Sequence, residues 1–551
     1  MKIIYYSLLL FLAGNFFAAN SSVADILNHD IKCGTPEVLR LLSSGLAKPA
    51  GRPAIGTDKG TTAISSESHF KVHYDTTGYH KPPMTDKDTN GIPDYIDSTL
   101  VYLERAWDVM VDELGFEQPK TDNSAGGGDE VDFYIINYGN TASYGSTHPE
   151  QGAGDSATSY CVIDNDFSES KYAVKGYEAL KVTTAHEFFH TIHFSYKYGL
   201  QYQLSWWMEQ SAVWMEDRVW DDVNDYLAYL YFFFGGVKDG IEYPVYSKST
   251  SLTESSGMFK YGATVWAMYL AEKFGDDLIR LIWEQLREAQ FPGIANFNDA
   301  ILEASAGKTG LPEALNEFAV WNYFTGERAN TDDFYHDGDI FNVEMTSDEF
   351  WEYSPAEGSL SLPNLTSRYL ELLFVGKWDV HDILSIDISA DNEGPSSSSV
   401  LFYNDPYDYA VIPIEGGKIN ITLEKPWNKA VLITSCTGIV SGNYPFTFKT
   451  EMTAQKVGVE SQSPLAFELL GAYPNPFNPT TTVAFSLPQA DHVSVKAYNA
   501  SGQLVENLFE GNLTAGEKRV LWKPSQRAGG IYFVTVSTSQ ETKTEKVLLL
   551  K

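Results

Sequence analysis

No stretch of this chain restricts its fold more than YEALKVTTAHEFFHTIHFSYKYG, residues 177–199. Its length and its closing glycine are those of a helix. On a helix His186 and His190, four positions apart, leave the same face one turn apart. Two imidazoles so placed can bind one Zn²⁺ at about 2.0–2.1 Å. Glu187 lies beside them and can take a proton from a metal-bound water. The five-residue pattern alone also occurs on buried helices whose histidines only pack, so the remaining ligands must be sought elsewhere.

A zinc site needs a third protein ligand. The metzincin arrangement fails, because the positions that would carry its glycine and third histidine hold His193 and Tyr196. Glu209 lies nineteen positions after His190, in SWWMEQSAVWMED. That stretch predicts a second helix from near Ser205, and a turn at Gly199 would return it so that Glu209 faces the two histidines. Two His and one carboxylate leave a fourth position open, the catalytic form of a zinc site. Glu216, seven after Glu209, falls on the same face two turns on. It is either a partner that orients a ligand histidine or a swapped third ligand; Glu209 is preferred. His193 reads as a core histidine or a partner of a ligand.

The spacing His-Glu-x-x-His, eighteen residues, Glu resembles that of the aminopeptidase N family of gluzincins. Trp206–Ala212 is similar to that family's W-L-N-E-G-F-A segment, and FKYGATVWAMYLAEKFG (Phe259–Gly275) to its Y-x-K-G-A…L…G helix. The resemblance implies a zinc peptidase acting on a protein or peptide substrate, with His186, His190 and Glu209 as ligands. Glu187 would be the general base that takes the water's proton and returns it to the leaving amine. The family's transition-state tyrosine aligns with Phe259, which has no hydroxyl; Tyr261 is the expected replacement, with plain helix packing the alternative. Ser159–Phe167 (SYCVIDNDF) alternates like an edge strand that would pair with extended substrate.

A second motif is DKDTNGIPDYID. Asp86, Asp88, Asn90, the Ile92 carbonyl, Asp94 and Asp97 fall at positions 1, 3, 5, 7, 9 and 12 of a calcium loop, with Gly91 at the sixth. A helix over Tyr95–Leu114 should follow it. HFKVHYD before it alternates like a strand, so the motif is a half EF-hand, similar to dockerin-like or thrombospondin-type loops. An acidic turn without metal is the alternative.

At 551 residues the chain is too long for one core. The pattern predicts an α+β molecule with two small all-β sandwich domains at its end, and the resemblance implies that the first domain is a gluzincin (zincin) catalytic domain. Lys2, the apolar run Ile3–Phe17 and the small residues Ala18, Ala19 and Ser21 read as a signal peptide over 1–19. Residues 20–60 read as a pro-segment, 61–335 as the catalytic domain with the calcium loop, and 350–452 as a β-sandwich in which Ser396–Ser399 mark a loop. Residues 451–464 read as a polar linker. Residues 465–551, opening GAYPNPFNPTTTVAFSLP, resemble a Por-type C-terminal sorting domain. That resemblance implies a bacterial protein handled by the type IX secretion machinery and released or held at the cell surface. No later segment is long and apolar enough to span a membrane.

The formal charge, 39 basic against 73 acidic residues or −34, makes nucleic acid an unsuitable partner. Three cysteines, Cys33, Cys161 and Cys436, permit one disulfide at most. KCGTPEVLRLL (Lys32–Leu42) resembles the pro-segment start of pappalysin-like peptidases, where a Cys-Gly pair is a latency switch. Pairing of Cys33 with another cysteine, or a free thiol, is the alternative. The other function class consistent with the sequence is a catalytically silent, calcium-stabilised surface or matrix binding protein.

Overall fold

The computed structural model describes residues 32–44, 51–55, 60–139, 143–153, 156–198, 201–351, 356–373, 380–390, 396–438, 442–453, 466–477, 480–524 and 527–550. The signal-peptide reading, the start and most of the end of the pro-segment, the turn at Gly199 and most of the 451–464 linker lie outside these residues.

The N-terminal half is built on a five-stranded sheet. Its strands are β1 (Gly60–Ile64), β2 (Phe70–Asp75), β3 (Val131–Ile136), β4 (Gly145–Ala153) and β5 (Ser156–Asp164), in the order β1-β2-β3-β5-β4. β2, β3 and β5 run parallel, and β1 and β4 flank them antiparallel. β2 is buried at every position, as a central strand covered on both faces must be. β5 therefore lies inside the sheet, paired on both sides. The edge that Ser159–Phe167 was expected to form belongs to β4, which pairs antiparallel along β5 and ends the sheet.

A short helix, α1 (Thr35–Ser43), precedes the sheet, and α2 (Asp94–Trp107) crosses between β2 and β3. The helix expected over Tyr95–Leu114 changes character after Trp107, continuing as a π-helical turn over Asp108–Glu113. α3 (Gly176–Tyr196) carries the two histidines and is buried at every residue from Val182 to Tyr196. A helix buried on all sides can only sit in the middle of a domain. Here it lies between the sheet, α2 and α4 (Gln201–Val219), which starts four residues before the expected Ser205.

A small hairpin, β6 (Gly236–Lys238) and β7 (Ile241–Tyr243), follows the single turn α5 (Tyr231–Phe234). The single helix expected over Phe259–Gly275 is broken into α6 (Phe259–Gly262) and α7 (Val265–Phe274). The break sits where Gly262 packs directly against the Tyr229 backbone, a position a Cβ would fill at 2.5 Å. α8 (Asp277–Glu288), α9 (Ile294–Ala304) and α10 (Leu311–Tyr323) complete this half. α8 is amphipathic, with Leu278, Ile279, Ile282, Trp283 and Leu286 turned inward.

The second unit is a two-sheet sandwich. Its strands are β8 (Asp348–Trp351), β9 (Ala356–Pro363), β10 (Thr366–Leu373), β11 (Ile383–Ala390), β12 (Ser396–Asp405), β13 (Asp408–Pro413), β14 (Lys418–Thr422), β15 (Lys429–Cys436) and β16 (Asn443–Thr453). They form the sheets β13-β12-β15-β10-β8 and β14-β11-β16-β9, which share a core of Leu372, Leu384, Val400, Phe402, Leu432 and Phe448. Ser396–Ser399, expected as a loop, open β12 instead. They pair with β15, and Ser398 donates to Thr434, so the polar run is absorbed by a ladder. This sandwich is not free-standing. Leu401, Val431 and Ile433, on the other face of the same sheet, join the core of the N-terminal half, and the Asn316 amide of α10 donates to the Ile433 carbonyl at 3.2 Å.

The last unit has strands β17 (Glu468–Tyr473), β18 (Thr481–Leu487), β19 (Asp491–Asn499), β20 (Leu504–Leu513), β21 (Gly516–Trp522), β22 (Gly530–Ser537) and β23 (Thr542–Leu549). Its two sheets, β17-β18-β21 and β20-β19-β22-β23, enclose a core made only of its own residues, among them Phe477, Phe485, Val495, Trp522 and Val534. No helix among the described residues is long and apolar enough to cross a membrane.

Candidate metal centre

The one-turn offset on α3 points the Nε2 atoms of His186 and His190 at each other, 3.1 Å apart. α4 returns alongside and sets Glu209 against both: Oε1 is 3.1 Å from His190 Nε2 and Oε2 is 3.6 Å from His186 Nε2. The Glu209 side chain is completely buried, and neither of its oxygens accepts a hydrogen bond. A buried carboxylate left so is costly unless a cation meets it. A fourth donor arrives from the N-terminal segment: Cys33 Sγ lies 3.4 Å from His190 Nε2. Together Cys33, His186, His190 and Glu209 place one donor atom each within 4.8 Å of one another.

These spacings fit zinc. Bonds of about 2.0–2.2 Å to nitrogen and oxygen and about 2.3 Å to sulfur, at tetrahedral angles, separate donors by roughly 3.3–3.6 Å. The other ring nitrogens are fixed from behind. His186 Nδ1 is 2.6 Å from Glu216 Oε1, and His190 Nδ1 is 3.2 Å from His193 Nδ1. Glu216 is therefore placed behind His186 rather than in the cluster, and His193 behind His190. Burial disfavours the charged form of His186, but Glu209 and Glu216 outweigh it and lift its pKa to about 10. Burial also raises Glu209, yet the two imidazoles prevail and hold its carboxyl below the ordinary range. Burial, followed by Glu187 and Glu209, pushes the Cys33 thiol well up, so it keeps its proton unless a cation compensates.

Glu187 projects from α3 toward β4. Its Oε2 accepts a 2.7 Å hydrogen bond from the Thr147 hydroxyl and a longer one, 3.4 Å, from Thr35. Gly145, opposite, leaves room that a Cβ would take at 2.9 Å from the Glu187 side chain. The Tyr261 hydroxyl reaches the cluster from α6, 3.0 Å from the Cys33 amide that donates to it. Burial foremost keeps it protonated. Phe259, which aligns with the gluzincin tyrosine, instead stacks on Phe233.

The segment Lys32–Thr35 lies along the exposed edge of β4 in the parallel sense. The Tyr144 amide donates to the Lys32 carbonyl at 2.8 Å, and the Gly34 amide to the Gly145 carbonyl at 2.9 Å. The sequence reading missed Thr35, Thr147, Lys32 and Asp225. Lys32 and Thr35 lie in the KCGTPEVLRLL stretch, where only the Cys-Gly pair drew a role, and Thr147 and Asp225 belong to no motif. All three cysteines are unpaired, so Cys33 is not in a disulfide.

In the acidic loop, Asp86, Asp88 and Asp94 bring carboxylate oxygens within 4.8 Å of one another. Gly91 adopts a left-handed φ of 92°, as the sixth position requires. Asp86 accepts from the amides of Asn90 and Gly91, and Asp94 from that of Lys87. Asn90 and Asp97 are hydrogen-bonded to each other at 3.0 Å, and the Ile92 amide donates to Asn90. The three aspartates fit a calcium ion's preference for carboxylate oxygens.

Residues 471–550 match the family described as a secretion system C-terminal sorting domain. This last unit is thus a sorting domain, and the protein is exported through the type IX system to the cell surface or extracellular space. No curated protein matches. Solved structures that are similar over part of the chain include a periplasmic inhibitor of g-type lysozyme from Aeromonas hydrophila (10% identity, 20% of this chain and 96% of that one, TM-score 0.15). The glycoside hydrolase domain of Endo-D from Streptococcus pneumoniae is another (14% identity, 45% and 52%, TM-score 0.15). A third is the adhesin domain of Epf from Streptococcus pyogenes (11% identity, 35% and 72%, TM-score 0.12). Overlaps this slight carry no functional inference.

Proposed function

We propose that the protein is an exported zinc peptidase held latent by its own N-terminal segment. One observation carries the reading: a fully buried Glu209 carboxylate without a hydrogen bond, aimed at the facing Nε2 atoms of His186 and His190. His186, His190 and Glu209 would hold zinc. The metal, when bound, supplies Lewis acidity and lowers the pKa of a coordinated water to about 7.

The rest of the chemistry belongs to the chain. Glu187 is the general base, and Thr147 fixes the oxygen that takes the proton and later returns it to the leaving amine. Tyr261 carries its proton into the site and donates to the oxyanion as charge develops there. Once the segment leaves, the β4 edge would offer an extended peptide the backbone groups that Lys32–Thr35 use. Glu216 holds His186 in one orientation, as a carboxylate behind a ligand histidine does. Cys33 occupies the position water and substrate need, so activity awaits removal of the segment. Calcium at Asp86, Asp88 and Asp94 has a structural role, at the start of α2 and away from the zinc ligands.

The test is metal content and peptide cleavage measured on the same preparation. About one zinc per chain is expected, and a chelator should remove zinc and activity together. A protein cleaved free of its N-terminal segment that binds zinc yet cuts nothing in an unbiased peptide library would refute the peptidase. The cysteine's part is read from Cys33→Ala in the uncleaved chain, which should be active at once while the parent is silent. Equal activity of the two would remove the latch.

A further inference from the structure

Beside the metal cluster a lysine is buried. The ammonium of Lys32 sits 2.6 Å from Glu216 Oε2 and 2.5 Å from Asp225 Oδ2, with the side chains 2%, 3% and 0% exposed. The rings of Tyr229 and Tyr144 stand 4.9 and 5.6 Å from its nitrogen. Two carboxylates and two aromatic faces around one ammonium make a receptor for a cationic side chain. Beside it opens a cleft of about 550 Å³, lined among others by Tyr144, Tyr172, Tyr229 and Phe232.

The position of this receptor matters. Lys32 precedes the residue whose sulfur faces the metal ligands, and its carbonyl is hydrogen-bonded to the β4 edge through the Tyr144 amide. Glu216 accepts from Lys32 with one oxygen and meets His186 Nδ1 with the other, both at 2.6 Å. Removing the segment would leave Asp225 and the second oxygen of Glu216 facing each other across the place the ammonium held, an arrangement that favours another cation there. A cationic side chain of a substrate would suit it. The chain's net charge of −34 also draws basic peptides toward it.

We propose that the pocket holding Lys32 is the specificity pocket of the enzyme, and that the substrate presents a lysine or arginine next to the bond it loses. The N-terminal segment occupies that pocket as a pseudo-substrate, with a thiol in place of a scissile carbonyl. This rests on the peptidase reading.

Two experiments test it. In the first, the processed protein is given an unbiased peptide library. Cuts with Lys or Arg at one constant side of the bond are expected. Asp225→Asn should narrow the ratio of kcat/KM between a lysine peptide and its norleucine analogue by about 10-fold or more, and Asp225→Glu should restore much of that ratio. Efficient cutting with no basic residue at either side would overturn the specificity and leave the peptidase standing; no cutting by a zinc-loaded protein would overturn both. In the second, the full chain carrying Lys32→Gly is melted with n-butylammonium, the severed lysine side chain, and with n-butanol. A rise in Tm with the amine alone, larger than in the parent, supports the pocket. Equal responses to both compounds, or to both proteins, would refute it.

Discussion

Glu187 is the residue on which chemistry and structure can be separated most cleanly. Glu187→Gln keeps the side chain's shape and can still take the Thr147 hydrogen bond, so zinc content should not change. Proton transfer by a positioned base is worth about 10²–10⁴-fold, and kcat should fall by that much while KM stays near its parent value. A Gln variant with parental turnover would remove Glu187 from the mechanism. At this scale the sequence was informative wherever donor spacing is fixed by helix geometry. His186, Glu187 and His190 are legible because 3.6 residues per turn leaves them one arrangement. Glu209 was reachable because a helix must return after the first. Thr147, Lys32 and Asp225 were illegible: their roles depend on which strand is the edge and where the N-terminal segment docks, and no local pattern encodes either.

At the scale of elements, α4 does more than deliver Glu209. Its outer turn carries Asp217 beside Asp221 and Asp337, with one Asp217 oxygen buried and without a hydrogen bond. Burial first, then Asp337, Asp221 and Glu272, raises Asp217 to about 8, and Glu272 is lifted to about 7, chiefly by burial. The sign follows. An unfolded aspartate ionises near 3.9, so above that pH unfolding releases a proton the folded state retains. The contribution of Asp217 to stability is therefore full below about pH 4 and is lost as pH rises toward 8. Asp217→Asn should raise Tm by about 2–4 °C per kcal/mol recovered, and by more at pH 8 than at pH 5. An equal shift at both pH values would place the effect elsewhere.

The acidic loop before α2 is a second element with a measurable consequence. If it holds calcium in the folded state only, millimolar calcium should raise the parent's Tm by mass action. Asp86→Ala or Asp94→Ala should lose most of that rise and little stability in chelator. A parent indifferent to calcium would exclude the site. Element types were legible from periodicity, since β2 and α3 begin within a residue of expectation. The errors have causes outside the local pattern: the true edge is β4 because β5 pairs on both sides, the serines of β12 are recruited by β15, and Gly262 splits a helix by packing on Tyr229.

At the scale of the whole molecule, the boundary drawn at residue 350 from sequence separates a mixed helix-and-strand pattern from a strand-rich one, but not two cores. β15 is apolar at consecutive positions, and its burial is continuous from Ala430 to Cys436, which is the mark of a strand covered on both faces. Leu432 points into the sandwich, while Val431 and Ile433 point into the N-terminal half. The Tyr369 hydroxyl, from β10, donates to the Ala319 carbonyl of α10 at 2.9 Å. The last unit shares none of this; its core is its own. Two truncations should then behave oppositely. Ending the chain at Thr453 removes the sorting domain and should leave the zinc content and main melting transition of the remainder within about 1–2 °C of the parent, while export to the surface is lost. Ending it at Met345 strips Leu401, Val431, Ile433 and Tyr369 from the central core. At about 1.5–3 kcal/mol per buried apolar side chain, that loss is on the order of the whole stability of a domain, 5–15 kcal/mol. The shorter fragment should be insoluble or should lack a cooperative transition in calorimetry. A soluble, zinc-binding fragment ending at Met345 would show that the middle sandwich is an appendage and that the shared core contributes little.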